Sequence, residues 1–228
     1  MKRDLLAKIV AAQNSGQATV LVRDLAGDDQ VLVTEGEAPE STLPSELAAE
    51  ARNALRRDGA RTLEIGDRRV LVQSLAPPYR LIVVGAVHIA QALIPMARLA
   101  GYDVELVDPR PAFATPDRFP GITIDNRWPQ EAFPEKTLTS RTAIVTLSHD
   151  AKIDEPALLA ALRSKAFYIG ALGSRKNHAK RLERLTEAGI EEPDLARIAG
   201  PIGLPLGGRA PAEIAVSVLA QLIQTRYA

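Results

Sequence analysis

The sequence predicts an α/β fold: a parallel sheet with helices on both faces over residues 78–228, preceded by a small α+β domain over residues 1–77. Three observations carry this. Leu81-Ile82-Val83-Val84 is a continuous apolar run, as expected of a strand buried on both faces. Strand-like and helix-like segments alternate after it, the pattern of βαβ units. Ala76-Pro77-Pro78-Tyr79 separates this half from the first, because paired prolines stop regular structure and stiffen a linker.

In the first part, Leu5, Leu6, Ile9 and Val10 recur at helical spacing, so an amphipathic helix opens the chain. Thr19–Arg23 and Gln30–Thr34 read as strands joined through Gly27-Asp28-Asp29, a hairpin. Glu35–Pro44 is turn-rich. Ser45–Arg57 is built of helix formers and stops at Asp58-Gly59. Thr62–Ile65 and Arg69–Ser74 then form two strands around Gly66-Asp67.

In the second part, Leu81–Val84, Ala143–Leu147 and Phe167–Ile169 are buried strands, and Asp103–Val107 is a further strand. His88–Ala100 is a helix with Pro95 as a kink point. Further helices are expected at Pro156–Arg163, Ser174–Ala188 and Pro211–Thr225, the last with Ile214, Val218, Leu219 and Leu222 on one face. Residues 109–141 are proline-rich and irregular, with a short helix within Trp128–Phe133.

Composition narrows the function. The 28 Lys and Arg balance 28 Asp and Glu, which argues against a general nucleic-acid or membrane-surface binder. Aromatic residues are 4% against 46% hydrophobic, so the core is aliphatic. The chain has no cysteine, which excludes disulfides, thiolate metal sites and a cysteine nucleophile within it. The three histidines show no metal-ligand spacing, so no metal site is expected. The first residues, MKRDLLAKIVAAQNSGQ, lack the apolar core of a signal peptide, and no apolar run would span a bilayer. The expectation is a soluble cytoplasmic protein.

The chemistry-bearing residues gather where strands end. Gly85 follows Leu81–Val84 directly, the place of the first glycine of a dinucleotide fingerprint. Ala86 and His88 come next, at the start of a helix whose N–H groups favour an anion. Val87 stands where a second glycine would let a pyrophosphate approach. The imidazole of His88 either meets a ligand or caps the helix. Asp108, 23 residues beyond Gly85, ends the next strand, where a carboxylate can accept from a ribose hydroxyl. Arg110 either clamps a phosphate or carboxylate of a ligand or forms a surface salt bridge. Ser148-His149-Asp150 follows a buried strand and so projects at the C-terminal edge of the sheet. It has no nucleophile elbow beside it, and no residue is assigned a catalytic role. Gly170 to Lys176 is a glycine loop: Gly170 ends a strand, Gly173 precedes Ser174 as N-cap, and Arg175 and Lys176 fill the first helical turn. Cations there oppose the helix dipole, which makes sense if an anion binds; a plain charged surface is the alternative. Gly203 lies in a Gly/Pro-rich loop before the last helix, and that loop either folds over a ligand or only connects elements.

Taken together, these segments make the chain resemble the XdhC/CoxI family, accessory proteins of molybdenum hydroxylases such as xanthine dehydrogenase and aerobic carbon monoxide dehydrogenase. The carrying segments are LIVVGAVHIA at 81–90, VDPR at 107–110 with Phe113 and RFP at 118–120, and TLSHD at 146–150. YIGALGSRK at 168–176 and PIGLPLGGRAPAEIAVSVLA at 201–220 complete the series in order. The resemblance implies a Rossmann-like C-terminal domain that binds molybdopterin or molybdopterin cytosine dinucleotide, protects it, assists its sulfuration and delivers it to the apo-enzyme. The implied partners are a molybdenum hydroxylase apo-enzyme and a cysteine desulfurase. The implied contacts to the cofactor are Gly85, Ala86, His88, Asp108, Arg110, Ser148, His149, Asp150, Gly170, Gly173, Ser174, Arg175, Lys176 and Gly203.

The chain also departs from the family pattern. Typical members begin with a domain bearing a G-S-x-P-R-like segment and a glycine-rich block with a cysteine. Neither stands here, and Glu35–Pro44 reads as a shortened remnant, so any role of that cysteine is not carried over. Ser148 replaces the usual threonine before His-Asp, and Gly-Ala-Val-His replaces Gly-Ala-Gly-His. The alternatives to a cofactor chaperone are an NAD(P)-dependent oxidoreductase on the same fold, or an interaction protein that has lost its ligand. The first and last helices are the candidates for a homodimer contact, which the sequence leaves open.

Overall fold

The computed structural model describes residues 3–228, the side chain of Ser41 excepted. Met1 and Lys2, the start of the N-terminal segment discussed above, lie outside the described residues. The chain divides into two compact units, 1–77 and 78–226.

The first unit runs α1 (Arg3–Asn14), β1 (Thr19–Asp24), β2 (Gln30–Thr34), a 3₁₀ turn (Pro39–Ser41), α2 (Ser45–Arg56), β3 (Ala60–Ile65) and β4 (Arg68–Ser74). Its four strands pair antiparallel in the order β2-β1-β4-β3. Alternate residues Val20, Val22, Val70 and Val72 face one side and pack with Leu47, Ala48 and Ala51 of α2. The period-2 spacing of the valines and the i, i+1, i+4 spacing on the helix build this core.

The second unit carries β5 (Arg80–Val84), α3 (His88–Leu99), β6 (Asp103–Val107), β7 (Thr123–Asp125), α4 (Pro129–Ala132), β8 (Thr142–Thr146), α5 (Ala151–Leu162), β9 (Tyr168–Ala171), α6 (Arg175–Glu187), α7 (Glu192–Leu195), β10 (Ile198–Ala199) and α8 (Pro211–Tyr227). All six strands are parallel, in the order β10-β9-β8-β5-β6-β7. Leu81 and Val83 face a core with Ile89 and Leu93 of α3 and Val218 and Leu222 of α8. Ile82 and Val84 face the opposite core, with Ile153 and Leu158 of α5 and Leu185 of α6. This is the two-faced burial that the unbroken apolar run of β5 anticipates, and the unit is a Rossmann-like sheet.

Three details depart from the sequence reading. The helix expected from Pro156 begins at Ala151, because the Asp150 side chain accepts from the Lys152 amide and caps it. An N-cap of this kind is worth about 1 kcal/mol, and it starts the helix ahead of the proline, which removes only one later amide donor. The irregular stretch 109–141 contains β7, which pairs with β6 through Thr123, Ile124 and Asp125. The two-residue β10 extends the other edge. Helix α3 holds Pro95 in its interior, where the sequence reading put it.

Candidate functional site

Strand β5 lies between β6 and β8, and the chain leaves it in one direction and returns in the other. Helix α3 packs on one face of the sheet and α5 on the other. The loops after β5 and β8 therefore part at the C-terminal edge, the topological switch point where open α/β sheets hold ligands. Gly85 makes the turn. Its φ is +108°, a conformation in which a side chain is strained. Its amide donates to Val107 O at 3.0 Å, which ties the turn to β6.

Asp108 sits beside that turn, fully buried. One of its oxygens accepts from the Ala86 amide at 2.6 Å and from Arg110 Nη2 at 2.7 Å. The other accepts from the Arg110 amide and Nε, both at 2.9 Å. Burial alone would raise this carboxyl, but the Arg110 side chain and the Ala86 and Arg110 amides outweigh it and hold it below its ordinary value. Arg110 is thus clamped on a protein carboxylate, and it packs over the Phe113 ring at 4.8 Å. Asp108 braces the turn; both its oxygens are occupied, so in this arrangement it presents no free acceptor to a ribose.

The N-cap position of α3 is Val87, and no side chain caps the first turn. Those N–H groups remain available to an anion. His88 is exposed at the helix start and does not cap it.

Across the crevice, Ser148 is half-buried while His149 and Asp150 are exposed. Ser148 Oγ donates to Asp154 Oδ1 at 2.7 Å and accepts from the Asp150 amide at 3.0 Å. These bonds fold the loop so tightly that His149 takes φ +63°. A non-glycine residue held in that region costs about 1–2 kcal/mol, and such strain gathers at functional loops.

The family described as the XdhC Rossmann domain matches residues 81–222. The chain belongs to the XdhC family. Its matched span holds every residue of the crevice. Two curated relatives are similar to it. One is the molybdenum cofactor insertion chaperone PaoD of Escherichia coli (strain K12), 32% identical over 150 residues, covering 66% of this chain and 41% of PaoD. The other is a probable xanthine dehydrogenase subunit of Bacillus subtilis (strain 168), 34% identical over 161 residues, covering 69% of this chain and 46% of that protein. The chain thus spans less than half the length of either relative. A crystal structure of a xanthine dehydrogenase from Bacillus halodurans shares the fold, with a TM-score of 0.66 at 23% identity over 98% of this chain and 64% of that one.

In this XdhC-family chain the expected residues fall into separate groups. Ala86, Asp108 and Arg110 are hydrogen-bonded together, Gly85 before them is tied to Val107 and lies against Ser148, and Ser148 holds Asp150. Ser174 caps α6 by accepting from the Asn177 amide at 3.2 Å, while Arg175 and Lys176 are exposed in its first turn. Gly173 abuts the Arg181 guanidinium. Gly170 lies within β9, one residue before its end, because Ala171 still pairs with Thr146; a β-carbon there would collide with Ile202. Gly203 has φ +96°, packs against Ser217 of α8, and its amide donates to Gln221 Oε1 at 2.8 Å. Close packing is sufficient reason for glycine at both 170 and 203.

The sequence reading passed over Asp154 and Arg181. Asp154 is 1% exposed and Arg181 6%. Asp154 falls four residues after Asp150, one helical turn along α5, and that spacing was the available signal. Arg181 had none, since it is one cation among several along α6.

Proposed function

We propose that this chain is a carrier of molybdenum cofactor, taken as molybdopterin or its cytosine dinucleotide, and that it assists maturation and insertion of this cargo into a xanthine dehydrogenase- or carbon monoxide dehydrogenase-type apo-enzyme. The cargo lies across the β5/β8 crevice. Its anionic groups face the uncapped first turn of α3, with His88, Ser148, His149 and Asp150 along the rim. Arg175 and Lys176 draw in further phosphate charge. A cysteine desulfurase that sulfurates the cargo on this carrier, and a homodimer, belong to the same proposal.

The observation that favours this over an NAD(P)-dependent oxidoreductase is the state of Asp108. A dinucleotide enzyme offers a free carboxylate to the ribose at this strand end; here Arg110 and the Ala86 amide take both oxygens. The named function of the relative PaoD points the same way. Release matters as much as binding for a carrier, and an open, exposed rim suits moderate affinity.

The test is anaerobic titration with molybdopterin cytosine dinucleotide, molybdopterin, CTP and NAD, alongside Arg175→Ala. Micromolar or tighter binding of a pterin form, weakened in the variant, is the expected result. NAD binding without pterin affinity would turn the assignment toward the oxidoreductase.

A further inference from the structure

Beside the crevice, between α5 and α6, lies a polar cavity of about 220 Å³ whose walls include His149, Asp154, Asn177, Lys180 and Arg181. Arg184 also reaches it but is engaged by Glu155, so these two cancel. Arg181 and Asp154 are different. Each is more than nine-tenths buried. Arg181 donates through Nη2 to Leu172 O at 2.8 Å, and its Nη1 finds no partner among the described residues. Asp154 accepts from Ser148 through Oδ1, and its Oδ2 is likewise without a partner. No ion pair joins the two, although opposite charges buried side by side in one cavity would ordinarily close on each other.

A buried donor and a buried acceptor without partners, on two residues that line one cavity, define what completes them. The occupant must offer anionic oxygens to Arg181 and to Lys180, and at the same time an O–H to Asp154. An oxyanion that can take up a proton near neutral pH does both, and a phosphate monoester, whose second pKa is about 6, is such an anion, as is inorganic phosphate. Sulfate and phosphate diesters carry no proton there and would set oxygen against the Asp154 carboxylate. We infer that this cavity is a phosphate pocket selective for protonated phosphate, with Arg181 and Lys180 holding the oxygens and Asp154 accepting the hydroxyl. Burial pushes the Asp154 carboxyl up, against the pull of its Ser148 bonds, which suits a group that shares a proton with its ligand. The pocket shares His149 with the crevice, so a cargo ending in a phosphate monoester would be anchored here. The inference rests on the carrier reading for the identity of such a cargo, not for the phosphate itself.

Calorimetric titration of the full chain with inorganic phosphate and with sulfate, at matched ionic strength, tests it. Phosphate should bind at least about tenfold more tightly than sulfate, since a misplaced buried acceptor costs a factor of that order or more. Arg181→Gln should weaken phosphate about tenfold or more, and Asp154→Asn, which can donate as well as accept, should let sulfate approach phosphate. Lys180→Ala lies on an exposed position, leaves the fold intact, and should weaken phosphate several-fold, so the inference is tested even if a buried variant misfolds. Equal affinity for the two anions, or phosphate binding that Lys180→Ala leaves unchanged, overturns it. Because the ligand is inorganic phosphate, failure here leaves the pterin titration standing, and failure of the pterin titration leaves this result standing.

Discussion

A β-carbon placed on Gly85 would stand 2.8 Å from the Ser148 amide nitrogen, so the two loops that bound the crevice are in close contact at its base, before they part. Neither loop can yield cheaply, because Gly85 is bonded to β6 and Ser148 to α5. Gly85→Ala should therefore destabilise the chain by roughly 2–4 kcal/mol, from a strained φ together with a backbone collision. The midpoint of urea unfolding reads this out. A shift worth less than about 1 kcal/mol would mean that the loops part freely.

The Asp108–Arg110 pair makes a prediction with a pH signature. The folded Asp108 carboxyl lies below its ordinary value of 3.8, so its contribution is complete above that pH and is lost as pH falls through the depressed folded value. Arg110→Met leaves a buried carboxylate braced only by amides. The cost should be about 2–3 kcal/mol at pH near 7.5, below the full price of a broken buried pair because Arg110 is partly exposed. Burial then raises the carboxyl, so the deficit should shrink toward pH 4.5 as Asp108 takes a proton in the folded variant. Urea unfolding at the two pH values measures it, and an equal deficit at both would show that charge is not the cause.

The sheet was legible because β5 and β8 carry continuous apolar runs, as burial on both faces requires, and β6 keeps Val104, Leu106 and Val107 buried beside its acidic residues. Strands β7 and β10 were not, since three and two residues at sheet edges bury too little to leave a pattern. The crevice was legible as positions, because residues directly after parallel strands share one edge. The roles were less so. Asp108 was placed at the right strand end, but which group occupies its oxygens depends on the Arg110 side chain folding back two residues, and spacing does not fix that. Asp154 was hidden because Pro156 suggests a later helix start, and Arg181 because its burial comes from the packing of α6 under the Gly173 loop.

His149 is held at φ +63° by the bonds around Ser148, so glycine at that position should relieve strain. The gain should be about 0.5–1 kcal/mol, since glycine's extra freedom in the unfolded chain offsets part of the relief. The same change removes an imidazole from the rim. His149→Gly is therefore expected to melt higher and to hold pterin cargo more weakly. A variant that is less stable would mean that the imidazole contributes more to packing than the backbone costs.

Arg175 and Lys176 pose a similar conflict between stability and binding. They occupy the first turn of α6, where the helix dipole disfavours positive charge, and no acidic residue stands in that turn to relieve it. Replacing both with alanine should stabilise the ligand-free chain by a few tenths of a kcal/mol and more at low salt, where the dipole is less screened. It should also weaken anionic cargo by about five- to twentyfold and flatten the salt dependence of binding, because two charge-assisted contacts are lost. Thermal unfolding of the free chain and titration of the cargo at two salt concentrations separate the effects. If the double variant is more stable and binds cargo unchanged, these cations belong to a solvated surface, and the phosphate charge is carried by the α3 turn and the Arg181 cavity instead.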